Sequence, residues 1–349
     1  MSIQLKANLV DYTIAILSYN SSKYIIEGLE SIRFQVEKFG NGCSVQLIVS
    51  DDSSQDDTIR LVKNWSTHYE ALFNEITILE SENNEGTVAN FHKMFHSIHG
   101  KYFITIGGDD ILSSENVFKF MDLLDEYDLV TSFPICLNDK GDIFKDKNRL
   151  LRNYRDFIAA KYSKDTYVKK EIYGSLLHTV STVYRKELYD RNIEAFVKQF
   201  RLFEDDPRWF RILQASNNIM FYPRPIIIYR IRNNSVSHSI STKKQFLEDY
   251  LRLDNVYHEY LNDDLLKFYI RSRDKALKSN KKYSFANFVR LLDAVFLHIK
   301  YYGNQGYKEF NSNINTCIAH TKPYCKQIKD NSLSFYKSVE DCIFLEDNR

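Results

Sequence analysis

The stretch YFITIGGDDIL, residues 102–112, runs a β-favouring segment into two glycines and then two adjacent aspartates. Side-by-side carboxylates repel, so a strand that ends in Asp109-Asp110 needs either water or a cation to neutralise it. Carboxylates suit hard divalent cations such as Mg²⁺ or Mn²⁺, which take oxygen ligands and commonly keep positions for a substrate phosphate. Gly107 and Gly108 would let a bulky ligand approach the backbone closely. A bare GDD after a strand is more often an acidic helix cap, and the segment alone does not choose between these readings.

In the preceding hundred residues strand and helix alternate. YTIAIL (12–17) reads as a strand ending at Ser18-Tyr19-Asn20, with Ser21 and Ser22 able to cap the next helix. Ile25, Leu29, Ile32 and Val36 then recur at helical spacing. VQLIVS (45–50) is a second strand, ending at Asp51-Asp52. A helix from about Asp56 to Trp65 is expected next, with Asp56 or Asp57 at its N-terminus. EITILE (75–80), YFITI and DLVTSF supply three more strands, with a helix expected from about Ser114 to Glu126 before the last. Strands separated by helices imply parallel pairing with right-handed crossovers, hence an α/β doubly wound sheet. Such sheets bind ligands at the carboxyl ends of their strands. Asn20, Asp51, Asp52, Asp109 and Asp110 therefore gather on one edge.

The pattern weakens between Pro134 and Tyr167. LLHTVSTVYRKEL (176–188) reads as a strand entering a helix, FEDDPRWFRIL (203–213) as a loop entering a helix with Asp206 as its cap, and IMFYPRPIIIYRIR (219–232) as β-rich. Beyond about Ser241 the texture becomes long and helical. The expected division is a catalytic domain over 1–240 and a helical C-terminal region over 241–349.

Bulk properties narrow the class. A formal net charge of +1 from 47 basic and 46 acidic residues gives no global argument for nucleic acid. No window approaches the apolar length of a membrane-spanning helix, and the N-terminus lacks a signal-peptide core. The 5 cysteines are scattered without a CxxC spacing and read as reduced thiols of a cytoplasmic protein.

Together, ILSYNSSKYIIEGLESI, LIVSDDSSQDDT, NNEGTVANF, YFITIGGDDIL and FEDDPRWF, in this order over roughly residues 10–235, resemble the family 2 glycosyltransferases. The resemblance covers about two-thirds of the chain. It implies a GT-A fold, a Rossmann-like doubly wound mixed sheet, here with a C-terminal helical region. It implies an inverting, metal-dependent enzyme that moves a hexosyl or N-acetylhexosaminyl unit from a nucleoside-diphosphate sugar, UDP favoured, to a glycan or lipid-linked oligosaccharide. Such chemistry belongs to cell-surface polysaccharide synthesis, O-antigen or capsule.

Carried over by position, Asp52 is the acidic residue that reads the donor base. Leu17, Tyr19, Asn20, Gly86, Asn90 and Asp109 line the donor site. Asp109 and Asp110 form the DxD-type metal site for Mn²⁺ or Mg²⁺, with Asp110 the direct ligand. Gly108 stands where a first aspartate often does, which puts the number of metal-bound carboxylates in doubt. Asp205 matches the catalytic base, and His238 stands near the point where related enzymes place a metal-reaching histidine. Arg230 and Arg232 are of a type that meets phosphate by bidentate contacts.

The segment 267–292 is basic and becomes amphipathic, which suits packing on the catalytic domain, contact with the anionic inner face of the plasma membrane, or homo-oligomerisation. A sugar-nucleotide nucleotidyltransferase should open with a Gly-rich phosphate loop, which ILSYNSS is not. A receiver-type signalling domain would carry its acidic pair after the first strand. An NAD enzyme would show GxGxxG there. A non-catalytic nucleotide-sugar binding protein is disfavoured by the presence of both Asp110 and Asp205.

Overall fold

The computed structural model describes residues 10–160, 164–174, 177–232, 243–279, 299 and 303–346. Its centre is a parallel sheet of β1 (Tyr12–Ser18), β2 (Val45–Asp51), β3 (Glu75–Glu80) and β4 (Tyr102–Gly107), in the order β3-β2-β1-β4. The register pairs Ser18 with Asp51 and Leu17 with Gly107, so three strands end level and present their loops together. Ile14, Ile16, Leu47 and Val49 are fully buried, as expected for parallel strands covered on both faces.

The covering helices are α1 (Ile25–Phe39), α2 (Thr58–Tyr69) and α3 (Thr87–His96). Helix α2 starts two residues later than the sequence suggests and runs on to Tyr69. Asp56 stabilises its start by accepting from the Thr58 amide at 3.0 Å, while Asp57 turns to Arg60 instead. Ser21 contributes to the start of α1 through its carbonyl, which accepts from the Tyr24 and Ile25 amides, not through a side-chain cap.

After β4 the chain departs from simple alternation. A two-residue strand β5 (Ile111–Leu112) precedes α4 (Val117–Asp122), which is capped by Asn116 and is shorter than expected because Leu123–Asp125 tightens into a 3₁₀ turn. The fifth expected strand shrinks to β6 (Leu129–Thr131). The weakly patterned stretch then folds as β7 (Ile135–Asn138), β8 (Ile143–Phe144), α5 (Lys147–Ala159) and α6 (Lys164–Gly174). Next come β9 (Thr182–Tyr184), α7 (Arg191–Val197), α8 (Asp205–Ala215), β10 (Ile219–Phe221) and β11 (Ile227–Ile231). These strands make two smaller mixed sheets, β10-β6-β9 and β5-β11-β7-β8. The second begins at β5, directly after the acidic pair, and so attaches to the edge where the central strands end.

The C-terminal helices α9 (Lys243–Tyr260), α10 (Asp264–Ser279) and α11 (Gln305–Glu346) complete these cores. Leu253, Tyr257 and Ile270 share one apolar cluster with Phe91 and Trp209. Phe335 and Val339 of α11 share another with Ile32 and Trp65. The division expected near residue 240, and His238, fall in 233–242, outside the described residues, as does the half of the basic 267–292 segment that follows α10, 280–292. No helix among the described residues is long and apolar enough to cross a membrane.

Candidate active site

The loops after β1 and β2 are built by backbone geometry. Asn20 and Ser53 both adopt left-handed conformations, with φ of 47° and 65°. They lock together: the Asn20 amide donates to Ser54 Oγ at 2.7 Å, and Asn20 Oδ1 accepts from the Gln55 amide at 2.8 Å. Tyr19 is exposed beside them, whereas Leu17 lies partly buried with its carbonyl accepting from the Gly108 amide at 2.8 Å. Buried Asp52 points across to the loop before α3, its two oxygens accepting from the Glu85 and Gly86 amides, each at 2.9 Å. Gly86 has φ 94°, and a Cβ there would lie 3.0 Å from the Arg201 carbonyl, so glycine is required twice over. Asn90 is buried too, with Oδ1 and Nδ2 both bonded to Ser50 at 2.6 and 3.0 Å. Asp52, Gly86 and Asn90 thus hold the loop before α3 against β2, with Asn20 and Tyr19 exposed nearby at the end of β1.

The acidic pair stands at the adjoining strand end. Asp110 is 2 % exposed; its Oδ1 accepts from the Arg230 amide at 3.1 Å and its Oδ2 from the Gly107 amide at 3.3 Å. Asp109 is partly exposed and ion-paired with Arg232 at 2.7 Å. Arg230 anchors the turn by donating from Nε to the Asp109 carbonyl at 2.9 Å and pairing with Glu27 at 2.5 Å. Burial, then the neighbouring Asp109 charge, drives Asp110 well above the usual carboxylate range. Burial raises Asp109 as well, with Arg232 pulling the other way.

The two carboxylates converge: Asp110 Oδ2 and Asp109 Oδ1 lie 2.9 and 3.0 Å from the point a Cβ of residue 107 would occupy. Glycine at 107 keeps that space open. Gly108 is required for another reason, because its Cβ would meet Ser21 Oγ at 2.7 Å. A side chain at 108 would require Ser21 Oγ to turn away. Two converging carboxylate oxygens with raised proton affinity fit a hard divalent cation. No group of three or more His, Cys, Asp or Glu is arranged to hold a metal ion among the described residues, so substrate oxygens and water would complete the shell.

Asp205 is the first residue of α8, partly exposed, accepting from its neighbour Asp206's amide at 3.0 Å and, at 3.4 Å, from the Thr179 hydroxyl. Asp206 does not cap the helix, because the helix has already begun at Asp205. Glu204 behind it is spent on Arg208 at 3.0 Å, both buried, with the guanidinium 4.2 Å from the Trp209 ring centroid. The adjacent acids of FEDD therefore have opposite jobs: Glu204 braces the helix from inside, and Asp205 faces out.

Residues the motifs did not announce connect the two acidic centres. Tyr229 of β11 feels the Asp110 charge, and burial first and that charge second hold its hydroxyl above its ordinary range. Arg149 stacks on Tyr229 with 4.7 Å to the centroid, and His178 meets the same ring edge-on at 4.9 Å. Arg149 donates to His178 Nε2 at 3.2 Å, so the imidazole carries its proton on Nδ1. Burial first, then Arg149, holds His178 neutral. Thr179, next in sequence, reaches Asp205. No local sequence signal distinguishes Arg149, His178 or Thr179.

The model of Glycosyl transferase family 2 matches residues 13–192. The chain belongs to this family. Among curated proteins, the chain is 25% identical over 236 residues to the uncharacterised protein Rv1520 of Mycobacterium tuberculosis, covering 67% of this chain and 62% of that one. It therefore spans about three-fifths of that relative's length. It is also 28% identical over 144 residues to the uncharacterised glycosyltransferase MG025 homolog of Mycoplasma pneumoniae, covering 41% of this chain and 44% of that protein. Among solved structures, Staphylococcus aureus TarS 1–349 in complex with UDP superposes with TM-score 0.52 at 15% identity, over 97% of this chain and 92% of that one. Its complex with UDP-GlcNAc gives 0.53 at 16% over the same shares. At that identity the likeness establishes the fold, and the architecture is the GT-A fold with a C-terminal helical region.

Proposed function

We propose that this transferase moves a sugar from a nucleoside diphosphate to a hydroxyl of a glycan or lipid-linked oligosaccharide, with inversion at the anomeric carbon, in cell-surface polysaccharide synthesis. The observation that carries the reading is the convergence of Asp109 and Asp110 at the carboxyl edge of the parallel sheet, both with raised proton affinity. Such a pair is an unfavourable arrangement of carboxylates that a divalent cation would neutralise, and the cation would in turn serve a diphosphate. UDP is the favoured nucleotide, in keeping with the ligands of the two TarS complexes.

Asp109 and Asp110 would hold Mn²⁺ or Mg²⁺, which when bound supplies charge stabilisation to the departing diphosphate. Arg232, already within 2.7 Å of Asp109, is placed to pass its guanidinium to phosphate oxygens. Asn20 and Tyr19 border the nucleoside, with Asp52 holding the loop opposite. Asp205 takes the proton of the acceptor hydroxyl as its oxygen attacks. A single base acting in one displacement gives inversion. The C-terminal helices would serve the acceptor, and a lipid-linked acceptor would bring the protein to the inner face of the plasma membrane.

The test is thermal stability against nucleoside diphosphates with and without Mn²⁺. A ligand that binds only the native state at a hundredfold excess over its Kd adds about 2.7 kcal/mol. A metal-dependent shift with UDP that disappears in Asp110→Ala is the expected result. No shift with any diphosphate under any metal condition would remove the donor site.

A further inference from the structure

One face of α1 supports the turn that carries Asp109 and Asp110. Glu27, Gly28 and Ser31 fall at the helical spacings that put them on the same side of α1. A Cβ on Gly28 would sit 3.0 Å from the Asp110 carbonyl oxygen, so backbone meets backbone there. Ser31 Oγ donates to the Gly28 carbonyl at 2.6 Å and accepts from the Leu112 amide at 3.0 Å. Glu27 makes the third contact, through Arg230 of β11.

Arg230 carries a buried charge: its side chain is 2% exposed, and that of Glu27 15%. A guanidinium taken out of water needs a counter-charge and partners for its N–H groups. Asp109 and Asp110 both feel that charge. Among the described residues, however, Arg230 pairs with Glu27, at 2.5 Å, and with neither aspartate. Its Nε donates to the Asp109 carbonyl at 2.9 Å, and what Asp110 Oδ1 receives from residue 230 is the main-chain amide, at 3.1 Å. The Tyr24 ring covers the guanidinium, with 4.5 Å to the ring centroid. Glu27 thus holds the charge of Arg230 off the carboxylate oxygens that converge beside Gly107.

The acidic pair already has one guanidinium, Arg232 on Asp109 at 2.7 Å. Without Glu27, Arg230 would turn its N–H groups to the aspartates, and a second guanidinium would neutralise the pair in place of a divalent cation. We propose that Glu27 is a positioning residue that sets the cation affinity of Asp109 and Asp110: as the counter-ion of Arg230 it keeps that charge away from the pair and keeps the turn in shape. It acts through Arg230 and not as a ligand. The proposal rests on the metal reading above and deepens it by naming the residue that tunes the site.

The experiment is Mn²⁺ binding to the full chain, read from the electron paramagnetic resonance signal of free Mn²⁺, with and without saturating UDP. Glu27→Gln keeps the side chain's size and removes its charge. It is expected to weaken Mn²⁺ binding by about 10–100-fold, the usual cost of losing a partner that stands behind the metal ligands. The double variant Glu27→Gln, Arg230→Gln removes the competing charge as well and is expected to bind Mn²⁺ more tightly than the single variant. A merely structural role for the pair predicts no such recovery, because the double variant loses the guanidinium contacts too. The double variant leaves no buried charge unpaired. If the single variant does not fold, the double therefore decides alone: affinity like the wild type's upholds the proposal, and a loss of about tenfold or more overturns it. Equal affinity in the wild type and Glu27→Gln, or no recovery in the double variant, overturns the proposal and leaves the metal reading standing. A wild type that binds no Mn²⁺ with or without UDP, or whose binding survives Asp110→Ala, overturns the metal reading itself.

Discussion

At the residue scale, position within a motif and task in the fold come apart. Asp52 and Asn90 fall in matching motifs, yet their polar atoms are bonded to Glu85, Gly86 and Ser50, so they hold the loop before α3 and that helix to the end of β2. Glu204 and Asp205 are neighbours with different surroundings, one bonded to a buried arginine and the other facing out at a helix start. Asp205→Asn keeps an oxygen to accept from the Asp206 amide and the Thr179 hydroxyl but cannot take a proton. It is expected to lower kcat by about 10²–10⁴-fold while leaving the UDP-induced thermal shift in place. Equal loss of donor affinity would make Asp205 a donor or metal contact instead.

At the element scale, the segment leading into α8 is the most instructive. Asp249 of α9 is buried, and its Oδ2 accepts from three successive amides, Arg201, Leu202 and Phe203, at 3.1, 3.0 and 3.3 Å. The Arg201 carbonyl in turn accepts from the Val88 amide at 3.3 Å at the start of α3. One carboxylate from the C-terminal region therefore ties the Gly86 loop and the Asp205 helix together. Asp249→Ala leaves these amides without their acceptor, a cost of roughly 1–3 kcal/mol. Urea unfolding should register that loss, and turnover should fall more than UDP binding does, because Asp205 loses its mooring. A loss of stability with unchanged turnover would separate the clamp from the chemistry.

At the scale of the whole molecule, the weakly patterned middle of the chain is held by a buried carboxyl. Asp156 of α5 accepts from the Thr131 hydroxyl at 3.1 Å and from the Tyr167 hydroxyl, joining β6, α5 and α6. Burial raises its pKa to about 7, against the lowering effect of those hydrogen bonds. The folded state thus keeps a proton that the unfolded chain loses near about pH 4. Its stability contribution is full below that value and is lost as pH rises through about 7, at up to about 1.4 kcal/mol per pH unit. Asp156→Asn keeps the acceptor and removes the titration. Denaturant unfolding across that window should show the wild type losing stability relative to the variant as pH rises; parallel pH profiles would place the charge of Asp156 elsewhere.

The first four strands, their helices and the acidic strand ends were legible from local signals: apolar runs of strand length, helical spacing and turn residues at each junction. The family's five ordered segments implied a use for that edge. Tertiary contacts alone settle which carboxylates are spent on the protein itself and which remain for substrate. That depends on partners far away in the chain, such as the Arg230 amide that reaches Asp110 across 120 residues. The two short strands and two helices between Ile135 and Gly174 were illegible for a related reason. Strands of two to four residues carry no period of their own, and they form, with α5 and α6, because β11, α11 and α8 supply the surfaces they pack on. Local propensity wrote the central sheet; long-range hydrogen bonds and packing selected the residues that face its carboxyl edge.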